Sequence, residues 1–124
     1  MRAILLVDHG SRRDDANARL EKIAAGLALR CPDTIVEFAH MEIAEPSLAT
    51  AFERAISRGA TQILVHPFFL SPGRHASEDL PRLCRQAAAA TPEIPWHLTE
   101  ATGQSSAIYD AILECIAASE KTAP

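Results

Sequence analysis

Residues 61–81 read TQILVHPFFLSPGRHASEDLP, and the parsing of this stretch decides the fold. Its opening, Thr61 to Pro67, is apolar and β-branched, which marks a strand buried on both faces rather than one with a wet side. A loop with Pro72, a glycine, Arg74 and His75 follows before the next helix. Asp79 is the expected cap of that helix, because it places Pro81 in the first turn, where a missing N–H costs nothing. An imidazole therefore sits at the carboxyl end of a strand, the edge at which open parallel sheets bind ligands.

Working outward, the same unit recurs. Arg2 to Val7 reads as a strand and runs into Asp8-His9-Gly10-Ser11-Arg12-Arg13. A helix follows from Asp14 to Arg30, with Ala16, Leu20, Ile23, Ala24 and Leu27 on one stripe and two aspartates at its positive end. Ile35 to Met41 is a second strand, followed by Glu42. A helix opening at Glu45-Pro46-Ser47, with the proline in its first turn, then runs to Gly59. Pro95 to Leu98 is a short fourth strand, and the last helix carries Ile108, Ile112, Cys115 and Ile116 on the face expected to meet the core. The tail, Glu120 to Pro124, is expected to fray.

This βαβαβαβα pattern predicts one α/β domain over residues 1–124. Right-handed crossovers make it a flavodoxin-like, three-layer domain with a four-stranded parallel sheet and helices on both sides. The order 2-1-3-4 is preferred to 1-2-3-4. It brings the ends of strands 2, 1 and 3 together, so that Glu42, His9 and His75 emerge from neighbouring strands about 4.8 Å apart per step.

Composition narrows the function. The 124 residues are 48% hydrophobic and 23% charged with a net charge of −4, which excludes a disordered chain and argues against a nucleic-acid or anionic-membrane surface. The apolar run near the N-terminus is too short for a signal-peptide core or a bilayer span, so a cytoplasmic protein is expected. Cys31, Cys84 and Cys115 form no CxxC pair and are expected to pack as small hydrophobes. Neither GxGxxG nor a Walker loop is present, so no nucleotide and no organic cofactor is expected.

Two histidines and a carboxylate with open positions suit Fe(II), Co(II) or Ni(II) and do not exclude Zn(II), so His9, Glu42 and His75 are the candidate metal ligands. Each has a plainer reading. A lone histidine beside Gly-Ser can simply bond the backbone, and Glu42 can be a solvated acid; the shared edge is what favours a joint site. Glu78 is an alternative donor to His75. Arg12, Arg13 and Arg74 would form an anion trap at the rim, with the bidentate geometry that arginine offers. Ser11 can cap or donate; a serine nucleophile lacks a third orienting acid other than Asp8. Phe68, Phe69 and Leu70 either fill the top of the core or wall a planar ligand. His40, His66 and His97 read as satisfied structural histidines.

Three segments together resemble the class II chelatases, the small CbiX and SirB type proteins that insert a divalent metal into sirohydrochlorin. They are DHGSRR at 8–13 with Asn17, MEIAEPSL at 41–48, and VHPFFLSPGRHASEDLP at 65–81. The last is similar to the family pattern P-x-F-L-x-x-G-x-H-x-x-x-D-[IL]-P. The resemblance implies that His9 and His75 bind metal and serve the chelation step, with Glu42 as a further ligand. It also implies that the ion, Co2+, Fe2+ or Ni2+, is a substrate inserted without ATP. Sirohydrochlorin's carboxylates would meet Ser11, Arg12, Arg13, Arg74 and the third helix N-terminus, beside Phe69. Two-domain members exist, so a chain of this length is expected to pair as a homodimer. His40-Met41 departs from the family's common Phe-Leu, which bears on the pocket wall. A non-catalytic metal or tetrapyrrole carrier on the same residues is the competing reading.

Overall fold

The computed structural model describes residues 1–122 and shows β1 (Arg2–Asp8), α1 (Asp14–Arg30), β2 (Ile35–His40), α2 (Leu48–Ser57) and β3 (Gln62–Pro67). These are followed by α3 (Arg74–Ala88), β4 (Trp96–Leu98), a 3-10 turn at Thr102–Gln104 and α4 (Ala107–Thr122). The four strands are parallel in the order β2-β1-β3-β4, as expected. Their alternation feeds two cores. Ala3, Leu5, Val7, Ile35, Ala39, Ile63 and Val65 pack under α2 and α3, whereas Leu6 and Val36 meet Leu20 and Ala24 of α1. Parallel strands put all their carboxyl ends on one edge, which is why Asp8, His40 and Pro67 hand the chain to three adjoining loops.

Several local expectations are corrected. Helix α2 starts after Pro46, not on it, because Ser47 is the cap: its Oγ accepts from the Thr50 N–H at 3.2 Å. Helix α3 starts at Arg74 behind Gly73, five residues before Asp79, and carries Pro81 in its interior. Proline there removes the bond that would reach the Ser77 carbonyl, a cost met by burying Ala76, Leu80, Cys84 and Ala88 along one stripe. Of the cysteines, only Cys84 packs as a buried hydrophobe, and burial pushes its thiol up to about 12 despite the nearby Arg85 charge. Cys115 is exposed.

Helix α4 departs furthest from expectation. It lies against neither sheet face, and Ile112, Leu113 and Ile116 are 51%, 61% and 49% exposed. The expected frayed tail meets a helix that continues to Thr122, and residues 123–124 lie outside the described residues.

His66 shows how the half-covered side of β3 is satisfied. Its Nδ1 lies 2.8 Å from Thr99 Oγ1 and its Nε2 2.6 Å from Thr102 Oγ1. Thr99 donates its own proton to the Glu100 carbonyl, so the neutral ring donates at Nδ1 and accepts at Nε2. Burial holds this imidazole below its ordinary value of 6.5. The unfolded chain therefore takes up this proton first as pH falls, and the contribution to stability is fully present above pH 6.5 and lost progressively below it. Urea midpoints for the wild type are expected to drop between pH 7.5 and 5 by more than those of His66→Asn. Equal drops would remove His66 from the acid limb.

Candidate active site

The site starts at the end of β1. Asp8 Oδ1 accepts the Gly10 N–H at 3.0 Å and lies 2.5 Å from His40 Nδ1, a ring buried to 1% exposure. Gly10 turns with a φ of 89°, and the place a Cβ would take is filled by the Glu42 carbonyl. Two backbone bonds stitch the loops: Met41 N–H to the Asp8 carbonyl at 2.8 Å and Glu42 N–H to the His9 carbonyl at 3.1 Å. His9 and Glu42 are thereby locked side by side. Ile43, next along, holds a φ of 75°, a left-handed conformation costing about 1–3 kcal/mol for a β-branched residue and held by the structure around it. On the other side, Asn17 clasps Ser11, accepting its N–H at 2.9 Å and donating to its carbonyl at 2.7 Å.

His40 does not line the cleft; it braces Asp8. His40→Ala would leave a cavity and strip the carboxylate of a partner, an expected loss of about 2–4 kcal/mol by denaturant unfolding. A loss under about 0.5 kcal/mol would show the brace to be dispensable.

His75 comes from the first turn of α3, not from a loop. Its ring is 80% exposed, and Nε2 pairs with Asp79 Oδ2 at 2.8 Å, one turn on. Arg82 approaches the other Asp79 oxygen at 3.5 Å. A cleft of about 210 Å3 is lined by His9, Met41, Glu42, His75, Asp79, Arg82 and Leu83, so the three sequence-predicted donors share one mouth. Among the described residues, however, no three His, Cys, Asp or Glu side chains converge closely enough to hold an ion. The hook to Asp79 is the physical reason: an exposed imidazole has a nearer partner one helical turn along its own helix. In the neutral ring this pairing puts the proton on Nε2 and leaves the Nδ1 lone pair free for a cation or a proton.

The expected arginine rim lies outside the cleft. Arg13 pairs with Asp15 at 2.7 Å, Arg74 pairs with Glu78 at 3.1 Å, Arg12 is exposed, and none of the three lines the cleft. Glu78 is accordingly a partner of Arg74, not a stand-in for His75. Arg82 is the arginine at the site, and it and Asp79 are the residues that sequence reasoning missed. The signal was available: counting the helix from Arg74 puts positions 75, 79 and 82 on one face. A second, more open hollow of about 410 Å3 adjoins the first and is lined by Ser11, Asn17, Phe68, Phe69 and Leu70 along with His9. His9 stands between the two, its ring 4.7 Å from that of Phe69. Phe69 both fills the core and backs this histidine. His97, expected to be satisfied internally, is exposed on β4.

A family model described as CbiX matches residues 3–119. The chain belongs to the CbiX family. Among its relatives, the chloroplastic sirohydrochlorin ferrochelatase of Arabidopsis thaliana is 40% identical over 109 residues, covering 88% of this chain and 48% of that one. The chain spans about half the length of the curated relatives it matches. The crystal structure of the CbiX protein from Marinobacter aquaeolei VT8 superposes with a TM-score of 0.84 at 29% identity, covering 99% of this chain and all of that one. The sirohydrochlorin chelatase SirB from Bacillus subtilis subspecies spizizenii, in complex with cobalt, gives 0.81 at 30% identity over 91% of this chain and 48% of its own. The α/β fold of this chain, with its four-stranded parallel sheet in the order 2-1-3-4, thus matches these two solved structures.

Proposed function

We propose that this chain is an ATP-independent sirohydrochlorin chelatase, acting as a cytoplasmic homodimer that places Co2+, Fe2+ or Ni2+ in the macrocycle as a substrate ion. The observation that carries this reading is that one cleft at the strand ends is lined by His9, Glu42 and His75 together. Insertion needs an ion held by few protein ligands, so that pyrrole nitrogens can replace its water, and it needs two pyrrole N–H protons removed. Neutral imidazoles suit both duties in turn. An incompletely assembled donor set fits an ion that must be given up; a closed set would retain it. Asp79 sets the tautomer of His75, and Arg82 is positioned to meet a substrate carboxylate. The open hollow with Phe69 and Leu70 supports an apolar landing for a flat ring beside His9. Ser11, Arg12, Arg13 and Arg74 remain proposed contacts for the rim of the macrocycle, the two ion-paired arginines after exchanging partners. Among the described residues no helix is long and apolar enough to cross a membrane, and neither nucleic acid nor an organic cofactor enters this reading.

The test is anaerobic incubation of the protein with sirohydrochlorin and Co(II), Fe(II) or Ni(II) in turn, following the absorption change against a protein-free control. A rate gain with at least one ion is expected. Tight binding of ion or macrocycle with no gain for any of the three would favour the carrier instead.

A further inference from the structure

Among the described residues His40 is the one polar residue that is buried, and the donor set of the cleft makes no use of it. A buried imidazole costs free energy unless it is hydrogen-bonded, whereas an apolar residue of similar size fills such a place without that cost. Its location supplies a reason for keeping it. Asp8 and His40 are the last pair in register between β1 and β2, each at the point where its strand ends. Beyond that rung the ladder stops, and the two loops that carry His9 and Glu42 begin.

His40 is itself firmly held. Its N–H donates to the Pro46 carbonyl at 2.9 Å, and Phe38 meets its ring in a T-shaped contact with centroids 6.0 Å apart. An ionised carboxylate only accepts, so the proton of the 2.5 Å contact lies on His40 Nδ1 and points at Asp8 Oδ1. That same oxygen accepts the Gly10 N–H at 3.0 Å, so the Asp8 side chain closes a turn with His9 at its middle.

His40 thus fixes the Asp8 carboxylate, and the carboxylate fixes the turn that carries His9. The turn in turn fixes Glu42, whose N–H donates to the His9 carbonyl and whose own carbonyl packs against Gly10. The Asp8 side chain is 23% exposed. Without His40 its carboxylate has water within reach and is free to rotate off the Gly10 N–H.

We propose that His40, acting through Asp8, is a positioning residue that sets the spacing of His9 and Glu42 as the preformed half of the ion site. His75, exposed on α3 and hooked to Asp79, is the donor that joins them. The identity of the ion rests on the chelatase reading; the assignment of His40 and Asp8 goes beyond it. Donor groups must be held to within about 0.5 Å of the productive geometry, and losing a residue that orients a ligand lowers metal affinity by about 10–100-fold.

Co(II) titrations of the full chain test this, followed by ligand-field absorption at a temperature where circular dichroism shows each variant folded. His40→Phe keeps a ring and loses the donor, and is expected to weaken Co(II) binding about 10–100-fold. His40→Asn, whose side-chain amide can donate to Asp8 from near the place of Nδ1, is expected to recover most of that loss although it fills the core less well. A role in packing alone predicts the reverse order. Asp8→Leu removes the acceptor shared by His40 and Gly10; it should weaken binding at least as much as His40→Phe, and it carries the test should that variant not fold. Wild-type affinity in His40→Phe or Asp8→Leu, or equal weakening by Phe and Asn at position 40, overturns the positioning role. Tight Co(II) binding by the wild type with no gain in insertion rate removes the chelatase reading and leaves the comparison of variants to decide the role of His40. A wild type that binds no Co(II) overturns both.

Discussion

His75→Ala is expected to lower the initial rate of catalysed metal insertion by about 10²–10⁴-fold, the range associated with losing a positioned acid–base group, and to leave the fold unaltered. The fold should survive because the ring is 80% exposed and contributes no packing. The chemistry should not, because His75 is the donor that α3 supplies to the cleft opposite His9 and Glu42, and Asp79 and Arg82 are arranged around it. Asp79→Asn should produce a smaller fall, about 10–100-fold, since the amide can hold the ring in place but also favours the wrong tautomer. Thermal unfolding within about 2 °C of wild type for both variants would separate chemistry from stability. An unchanged initial rate for His75→Ala would remove this histidine from the mechanism.

Gly10→Ala should damage stability and activity together. At φ 89° an L-residue is strained, and the added Cβ would overlap the Glu42 carbonyl, which is held in turn by the bond from Glu42 N–H to the His9 carbonyl. Strain and overpacking each cost about 1–3 kcal/mol, so a combined loss of about 2–6 kcal/mol and a fall in Tm of about 10 °C or more are expected. Any relief must move His9 and Glu42 apart. Activity measured at a temperature where the variant is fully folded should therefore still be depressed at least about tenfold. A folded Gly10→Ala protein with wild-type Tm and rate would show that this turn does not set the site.

The chain itself carried the architecture. Apolar, β-branched runs at 2–8, 35–40 and 62–67 separated by amphipathic stretches permit little else than a parallel sheet with crossover helices. The strand order then follows from crossover handedness and burial, and it brought His9, Glu42 and His75 to one edge. These features are legible because backbone periodicity and side-chain burial are recorded residue by residue along the chain.

What the sequence did not reveal are choices made between segments distant from one another. Asp79 reads as a helix cap along the chain; the early start of α3 makes it a partner of His75 instead, because burial of Ala76 and Leu80 outweighs the bond lost at Pro81. Nor did the sequence reveal that Arg74 and Arg13 are paired with their neighbours Glu78 and Asp15. The stripe on α4 predicts burial but not against which surface, since amphipathicity specifies a need and not a partner. Pattern along one dimension determined the layers and the edge where chemistry sits. Only the folded arrangement decided which charges meet at that edge and which faces stay open, because competition among contacts is settled by distance in space.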